Sequence, residues 1–312
     1  MDLRQLRYFV GICDAGSITA AARRLHVAQP ALSNHIANLE TELDVKLLHR
    51  SSSGIVPTHR GEILYAAAQR VLREVSQIPD EVSSVEDNLG GRVVIGVSDG
   101  PTNIIGTKFI KNMLARYPKI TMNYVTGHSA NLHRKLVRGA VDAAFIVKEP
   151  QLGGVNHQAV LHDKIFVAMR NEPGTNDHNK PISIKRLREL QFIFSYGEGN
   201  SILTYLENSL KKVRFTPRVI CEVESLSVIK ELVAAGCACT LISWSAAYKE
   251  VEDKKIILRP IEGLSLEFSL ELCTAIDRPP SATVSATIRV LLDTINELVE
   301  SKVWRGGAKS EL

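Results

Sequence analysis

The chain has 312 residues, is 45% hydrophobic and 23% charged, and carries a net charge of +4, a composition that builds a core and excludes a disordered polyelectrolyte. The length predicts two or three domains. No apolar run reaches the roughly 18 to 20 residues that span a bilayer: the longest, Leu232 to Ala247, is interrupted by Gly236, Thr240 and Ser243.

The opening MDLRQLRYFV lacks the basic patch, apolar stretch and small-residue cleavage site of an export signal. A cytoplasmic protein with no membrane partner is therefore expected. Residues 1 to 60 hold seven Lys/Arg against five acids, and residues 61 to 88 two against six, so bulk charge alone does not mark a nucleic-acid partner. Five cysteines form an odd set with no CxxC pair, which fits neither a disulfide framework nor a zinc site. They are expected to be buried apolar fillers, with Cys237 and Cys239 on one face if they lie on a strand.

In chain order, Leu3, Leu6, Phe9, Val10 and Cys13 recur at helical spacing. Gly16 ends that helix and Ser17 offers the cap of the next, whose Ala20, Ala21, Ala22 and Leu25 form a small-residue face. His26-Val27-Ala28 turns into a third helix with Pro30 in its first turn. On that helix Leu32, Ile36, Leu39 and Leu43 form one apolar stripe. The opposite face carries Pro30, Asn34, Ala37 and Thr41, flanked by Ser33 and Asn38, with no carboxylate before Glu40. Small and amide side chains on such a face admit a helix to the major-groove floor and hydrogen-bond to base edges. Val45 to Pro57 then reads as a hairpin around Ser51-Ser52-Ser53-Gly54, with Arg50 and Ser51 suited to phosphate.

From Thr58, a cap candidate, Leu64, Ala68, Val71, Val75, Ile78, Val82, Val85 and Leu89 alternate steps of four and three. This heptad seam predicts pairing with a second copy of the chain, and Pro79 predicts a kink in the rod. The pair Gly90-Gly91 marks the main boundary. Beyond it RVVIGVS, ITMNYVTG and AAFIV read as strands separated by helices over Asn103–Tyr117 and Ser129–Gly139. A second set follows in IFVAM, a helix near Ser183–Leu190, FIFSYG, Leu203–Val213, PRVICEVES and Leu226–Ala235. The chain returns in SLELCTAI and a final helix, Thr283–Glu300. Alternating strand and helix means parallel sheet, here in two lobes around a cleft.

Ligands of open α/β sheets sit beyond the carboxyl ends of strands. That rule selects Ser98, Asp99, Thr102, Gly127, Ser129, Ile146, Ser195 and Tyr196. Pro101 near a helix start leaves amide groups free for an anion, so a carboxylate or oxyanion ligand is expected. HExxH, a Walker lysine and GxGxxG do not occur, and no enzyme, cofactor or metal site is expected. His128, His133, His157 and His162 are expected on the surface or in loops.

The stretches DLRQLRYFV, GSITAAARRLHVAQPALSNHIANLETELDVKLLHR and PTHRG over residues 2 to 61 resemble the N-terminal domain of LysR-type transcriptional regulators. GVSDGPTN, GHSANLHRKLVRGAVDAAFIV and ESLSVIKELVAAGCACTLI resemble their effector domain more loosely, and HVAQPALS with IVPTHRGEILY is similar to the nitrogen-assimilation-control subgroup. The resemblance implies an α/β protein with an N-terminal all-α winged helix-turn-helix (1–58), a linker and dimerisation helix (59–89) and a two-lobed effector domain like a periplasmic binding protein (90–312). Lobe I is expected at about 90–164 and 268–302, lobe II at about 165–267. It implies promoter double-stranded DNA and a small-molecule effector as partners, and a homodimer through the linker that forms a homotetramer. Gln29, Pro30, Ser33 and Asn34 take groove positions, joined by Asn38 on the same face, and Arg50 takes phosphate. Ala28, Asn34 and Arg60 depart from the usual Ser or Thr, Arg and Ala, which implies a lost cap and one positive charge moved from helix to wing. The rival readings are a free-standing solute receptor and a DNA-binding protein that ignores small molecules.

Overall fold

The computed structural model describes residues 1–51, 54–83, 89–148, 153–172, 178–195, 201–305 and 308–309. The chain divides into two compact units, one of Met1–Asp87 with Arg138–Ala140 and a second of Asn88–Val137 and Val141–Leu312.

In the first unit, α1 (Leu3–Ala15) starts on a capping box. Asp2 accepts from the Gln5 amide at 2.7 Å and the Gln5 side chain accepts from the Asp2 amide at 2.9 Å, which satisfies two donors that the first turn leaves orphaned. The helix stops at Gly16, whose φ of 63° is left-handed and costs glycine nothing. Ser17 caps α2 (Ile18–Leu25), and a left-handed His26 turns the chain toward α3 (Gln29–Leu43). Ala28 at the α3 cap makes no side-chain bond. Phe9, Ile12, Ala21, Leu32, Ile36 and Leu39 are fully buried together. Leu43 departs from the expected stripe: as the last residue of α3 it passes the end of that core and is 37% exposed.

β1 (Leu48–Ser51) and β2 (Gly54–Pro57) form the expected hairpin. Thr58 accepts from the Gly61 amide at 2.9 Å and opens α4 (His59–Ser83). Glycine is required at 61, because a Cβ there would lie 2.0 Å from the Leu47 carbonyl oxygen. α4 is one helix that passes Pro79 without ending. Along the heptad seam Ala68 is buried, whereas Val71, Val75 and Ile78 are 42%, 37% and 52% exposed. The Val82 side chain and Val85 lie outside the described residues.

The second unit opens with β3 (Gly91–Ser98), α5 (Asp99–Arg116), β4 (Ile120–Gly127), α6 (Ser129–Val137) and β5 (Ala143–Val147), with β3 paired in parallel to both neighbours. α5 begins four residues before the expected start. Next come β6 (Val155–Arg170), α7 (Ile184–Leu187), β7 (Gln191–Ser195), α8 (Ser201–Lys212), β8 (Arg218–Val223) and α9 (Leu226–Ala234). β9 (Thr240–Ser243), α10 (Trp244–Glu252) and β10 (Ile256–Arg259) follow without having been expected. β11 (Leu266–Ala275), α11 (Ala282–Glu300) and β12 (Ala308–Lys309) complete the chain.

β6 and β11 run antiparallel along their length and carry β5 on one side and β10 on the other; β9 and β12 also pair with β6. The lobe boundaries expected at 165 and 268 fall inside these two unbroken strands. β7 and β8 form a separate parallel pair, and Phe192 of β7 bridges to Cys239 just ahead of β9. One core joins Val93, Ile95 and Phe109 to Phe192, Trp244 and Leu291. Among the described residues no helix is long and apolar enough to cross a membrane.

Two side-chain expectations are corrected. His133 is buried within α6, whereas His157 is exposed and His162 half-buried, both on β6. Cys237 is exposed ahead of β9 while Cys239 is buried, so the pair does not share a face; Cys221 is exposed as well.

Candidate functional site

The α3 face opposite its core stripe is open. Gln29, Pro30, Asn34, Ala37, Asn38 and Thr41 are exposed and Ser33 half-buried. Gln29 accepts a hydrogen bond from the Thr19 hydroxyl of α2 at 3.4 Å, which links the two helices at the turn. The first carboxylate of α3 does not reach this face. Glu40 accepts from the Leu47 and Leu48 amides at 2.8 and 3.3 Å and from Lys46 at 2.8 Å. Burial raises its pKa, but these three donors outweigh that and hold it below the usual carboxylate value. Glu40 thus fastens the end of α3 to the hairpin, and Glu42 is paired with the N-terminal amine. The face that remains is uncharged and rich in hydrogen-bonding groups. The side chains of Arg50 and Ser51 lie outside the described residues.

In the second unit a cavity of about 120 Å³ lies beyond the carboxyl ends of β3, β4, β5, β7 and β8. An engineered cavity of roughly 150 Å³ holds one benzene, so the space is of the size of a small metabolite. Ser98, Asp99, Gly127, Ser129 and Ser195 line it as expected from the strand-end rule. Thr102 lies beside it, in an adjoining groove that Asp99, Gly127 and Glu224 share, and donates to the Ser98 carbonyl at 3.0 Å. Ile146 is a correction: it is fully buried among Leu132, Leu136 and Val155 on the other side of β5, and by strand alternation its neighbour Val147 lines the cavity. Tyr196 lies outside the described residues.

Five helices begin at the cavity wall. Asp99 opens α5, Ser129 opens α6, Ile202 is the second residue of α8, Leu226 opens α9 and Ser243 caps α10. The α5 and α9 termini lack a side-chain cap. The Ser98 hydroxyl donates to the Phe145 carbonyl at 3.3 Å and shares a bond with the Ser129 hydroxyl at 3.2 Å, while Ser225 pairs with Ser227 at 2.9 Å, so neither serine caps its helix. Amide donors and positive dipole ends therefore converge on the cavity. Against them stand Asp99 and Glu224. Burial pushes the Asp99 carboxyl upward, with His128 and the Thr126 hydroxyl pulling it back.

The apolar wall comes from Ile165 of β6 and Phe268 of β11. Behind it, the buried Lys230 of α9 pairs with Glu250 of α10 at 2.8 Å and donates to Asn103 of α5 at 3.3 Å. Sequence reasoning missed Glu224, although the strand-end rule applied to β8 points to it. Ser243 was not selected as an effector residue because β9 was not read, and Ile165 and Phe268 were missed because mid-strand apolar residues carry no ligand signal.

A family model described as "LysR substrate binding domain" matches residues 86–296, and one described as "Bacterial regulatory helix-turn-helix protein, lysR family" matches residues 3–62. The chain is 30% identical over 308 residues to the nitrogen assimilation regulatory protein nac of Escherichia coli strain K12, covering 98% of this chain and 99% of that one. The homonymous protein of Klebsiella aerogenes is 29% identical, with 95% and 96% covered. Among solved structures, full-length OxyR from Pseudomonas aeruginosa aligns with a TM-score of 0.72 at 24% identity, over 100% of this chain and 99% of that one. Full-length CbnR complexed with its target DNA aligns with a TM-score of 0.69 at 20% identity, over 95% and 99%. The two structures establish likeness of fold.

Proposed function

The chain belongs to the LysR family of bacterial transcriptional regulators, with a helix-turn-helix DNA-binding domain and an effector-binding domain, and from that premise we propose how its own residues do this work. α3 enters the major groove of promoter DNA with Gln29, Pro30, Ser33, Asn34 and Asn38 toward the base edges, while Arg50 and Ser51 meet phosphate from the hairpin. The observation that carries this reading is the uncharged α3 face left open because Glu40 is spent on the Leu47 and Leu48 amides. A carboxylate on that face would be repelled by the duplex.

Residues 1–58 form the DNA-binding part, 59–89 the dimerisation rod and 90–312 the effector part. The exposed Val71, Val75 and Ile78 support a homodimer through α4, and two such dimers form the tetramer. The effector is a small metabolite whose anionic group takes the uncapped amides of α5 and α9, with Ser98, Asp99, Thr102, Gly127, Ser129, Ser195 and Tyr196 around it. Its remaining polar groups are hydrogen-bond donors or cationic, because Asp99 and Glu224 repel a second anion. Binding shifts the balance between two arrangements of the DNA-bound assembly. The protein works in the cytoplasm and catalyses no reaction.

Selection from a pool of random duplexes tests the proposal. The native chain enriches a motif with two related half-sites, and a Ser33→Glu/Asn34→Glu variant enriches none while keeping its circular dichroism. Enrichment of the same motif by both proteins would overturn it.

A further inference from the structure

The strand pair β6 and β11 carries a second constellation on the face covered by α6, away from the effector cavity. Cys273 sits opposite His157 in the ladder, and Glu271 lies two residues before Cys273 on the same face. The pleat therefore brings one imidazole, one carboxylate and one thiol together without any loop. His157 Nδ1 is 2.9 Å from Glu271 Oε2 and 3.4 Å from Cys273 Sγ, and the donor atoms of all three lie within 4.8 Å of one another. Glu271 and Cys273 are buried among Leu132, Leu136 and Ile146, whereas the His157 side chain is 34% exposed and opens the cluster to solvent.

We propose that His157, Glu271 and Cys273 bind a divalent transition ion of zinc type, with water in the fourth position. A mixed nitrogen, oxygen and sulfur set of borderline softness is what such an ion takes. At metal–ligand lengths of about 2.0 to 2.3 Å, tetrahedral donors stand roughly 3.3 to 3.8 Å apart, so the two His157 separations need to change by only a few tenths of an ångström, and Glu271 and Cys273, whose donor atoms lie within 4.8 Å of each other, need to close by about an ångström at most. All three residues stand on paired strands held by backbone hydrogen bonds, so the site is largely formed before the ion arrives.

The protonation changes are explicit. In the empty site burial and the Glu271 charge push the Cys273 thiol up to about 12, so it holds its proton. Binding releases that proton to solvent, and His157 presents an unprotonated Nδ1 with its ring proton on Nε2. Lys148, 3.4 Å from Glu271, partly balances the carboxylate until the ion does so. The buried His133 of α6 has an Nε2 without a hydrogen-bond partner among the described residues, and burial together with the His157 charge disfavours its protonated form. A second positive group therefore does not compete with the ion from that side.

The test uses the full-length chain, stripped with chelator and titrated with Co2+ alone. One ion per chain is expected, with thiolate-to-cobalt charge-transfer absorption and the visible bands of a tetrahedral ion, both bleached by Zn2+. Cys273→Ser loses the charge-transfer band, and His157→Ala, at the solvent edge where folding is least at risk, weakens binding about tenfold or more. Absence of the band at millimolar Co2+ overturns the proposal. So does its persistence in Cys273→Ser, which assigns the ion to another thiol such as the exposed Cys221 or Cys237.

Discussion

Replacing Asp163 by asparagine removes an ionisable group from the interior of β6. Asp163 is fully buried. Its Oδ1 accepts from Trp304 Nε1 at 3.1 Å, and the Ser243 and Ser245 hydroxyls lean on the same carboxyl. Burial nonetheless dominates and raises its pKa from 3.8 to about 6. Between those values the folded state holds a proton that the unfolded chain has released, so stability falls as pH rises. The contribution is complete below 3.8 and gone above about 6. At about 1.4 kcal/mol per pH unit the interval is worth about 3 kcal/mol, an upper figure. Asp163→Asn keeps an acceptor for Trp304 and does not titrate, so its stability relative to the native chain rises by up to that amount from acid to mildly alkaline pH. The chain contains two tryptophans, Trp244 and Trp304, both buried in the second unit, so urea unfolding followed by tryptophan fluorescence reports that unit without the first. If the midpoints of the two proteins run parallel from about pH 4 to about pH 8, the assignment of a buried, titrating Asp163 is wrong.

Three further outcomes are expected. Asn34→Glu places a carboxylate on the open α3 face and lowers DNA affinity at fixed salt by about tenfold or more, measured by fluorescence anisotropy; unchanged binding would remove α3 from the interface. Val75→Glu charges the exposed α4 seam and weakens self-association by roughly tenfold or more, from the 1.5 to 3 kcal/mol that burying such a side chain contributes; sedimentation velocity with an unaltered dimer refutes the seam. Glu40→Ala leaves the Leu47 and Leu48 amides without their acceptor and costs about 2 kcal/mol. Because the folded pKa of Glu40 is lowered, that cost is present above the ordinary carboxylate value and shrinks as pH falls through the folded one. A cost that does not vary with pH contradicts it.

The first unit was legible because its signals are local. Gly16, Ser17, Pro30 and Thr58 act within a turn of where they stand, and the stripe of Leu32, Ile36 and Leu39 follows from helical period alone. Glu40 shows where locality ends. A helix surface plot places it near the polar face, but its carboxylate is drawn off by amides seven and eight residues onward, a contact that needs the hairpin folded back. In the second unit β9 and β10 are four residues each and buried on both faces, so they offer neither alternation nor length to distinguish them from the apolar helix ends beside them.

The cavity and the histidine cluster differ in the same physical way. Strand ends followed by helix starts have a sequence signature, so Ser98, Asp99, Gly127, Ser129 and Ser195 could be selected in advance. Ile146 failed because the rule gives the end of a strand and not which of two alternating side chains faces the ligand; Val147, one residue on, takes the place. His157 and Cys273 are separated by more than a hundred residues and meet only because β11 returns antiparallel along β6 with a register shift between Leu270 and Glu271. β11 alternates without interruption, Leu270 and Leu272 into the main core and Glu271 and Cys273 toward α6, and the extra residue of β6, Val160, is what turns His157 to the side of Cys273 while Leu161 and Ile165 face the main core. Without that residue His157 would fall on the opposite face of the ladder, and the β6 sequence QAVLH carries no mark of where it is inserted. The ladder that holds the two residues together also carries Ile165 and Phe268 of the effector wall, so an ion clamping one face of β6 and β11 stiffens the strands against which the effector packs on the other.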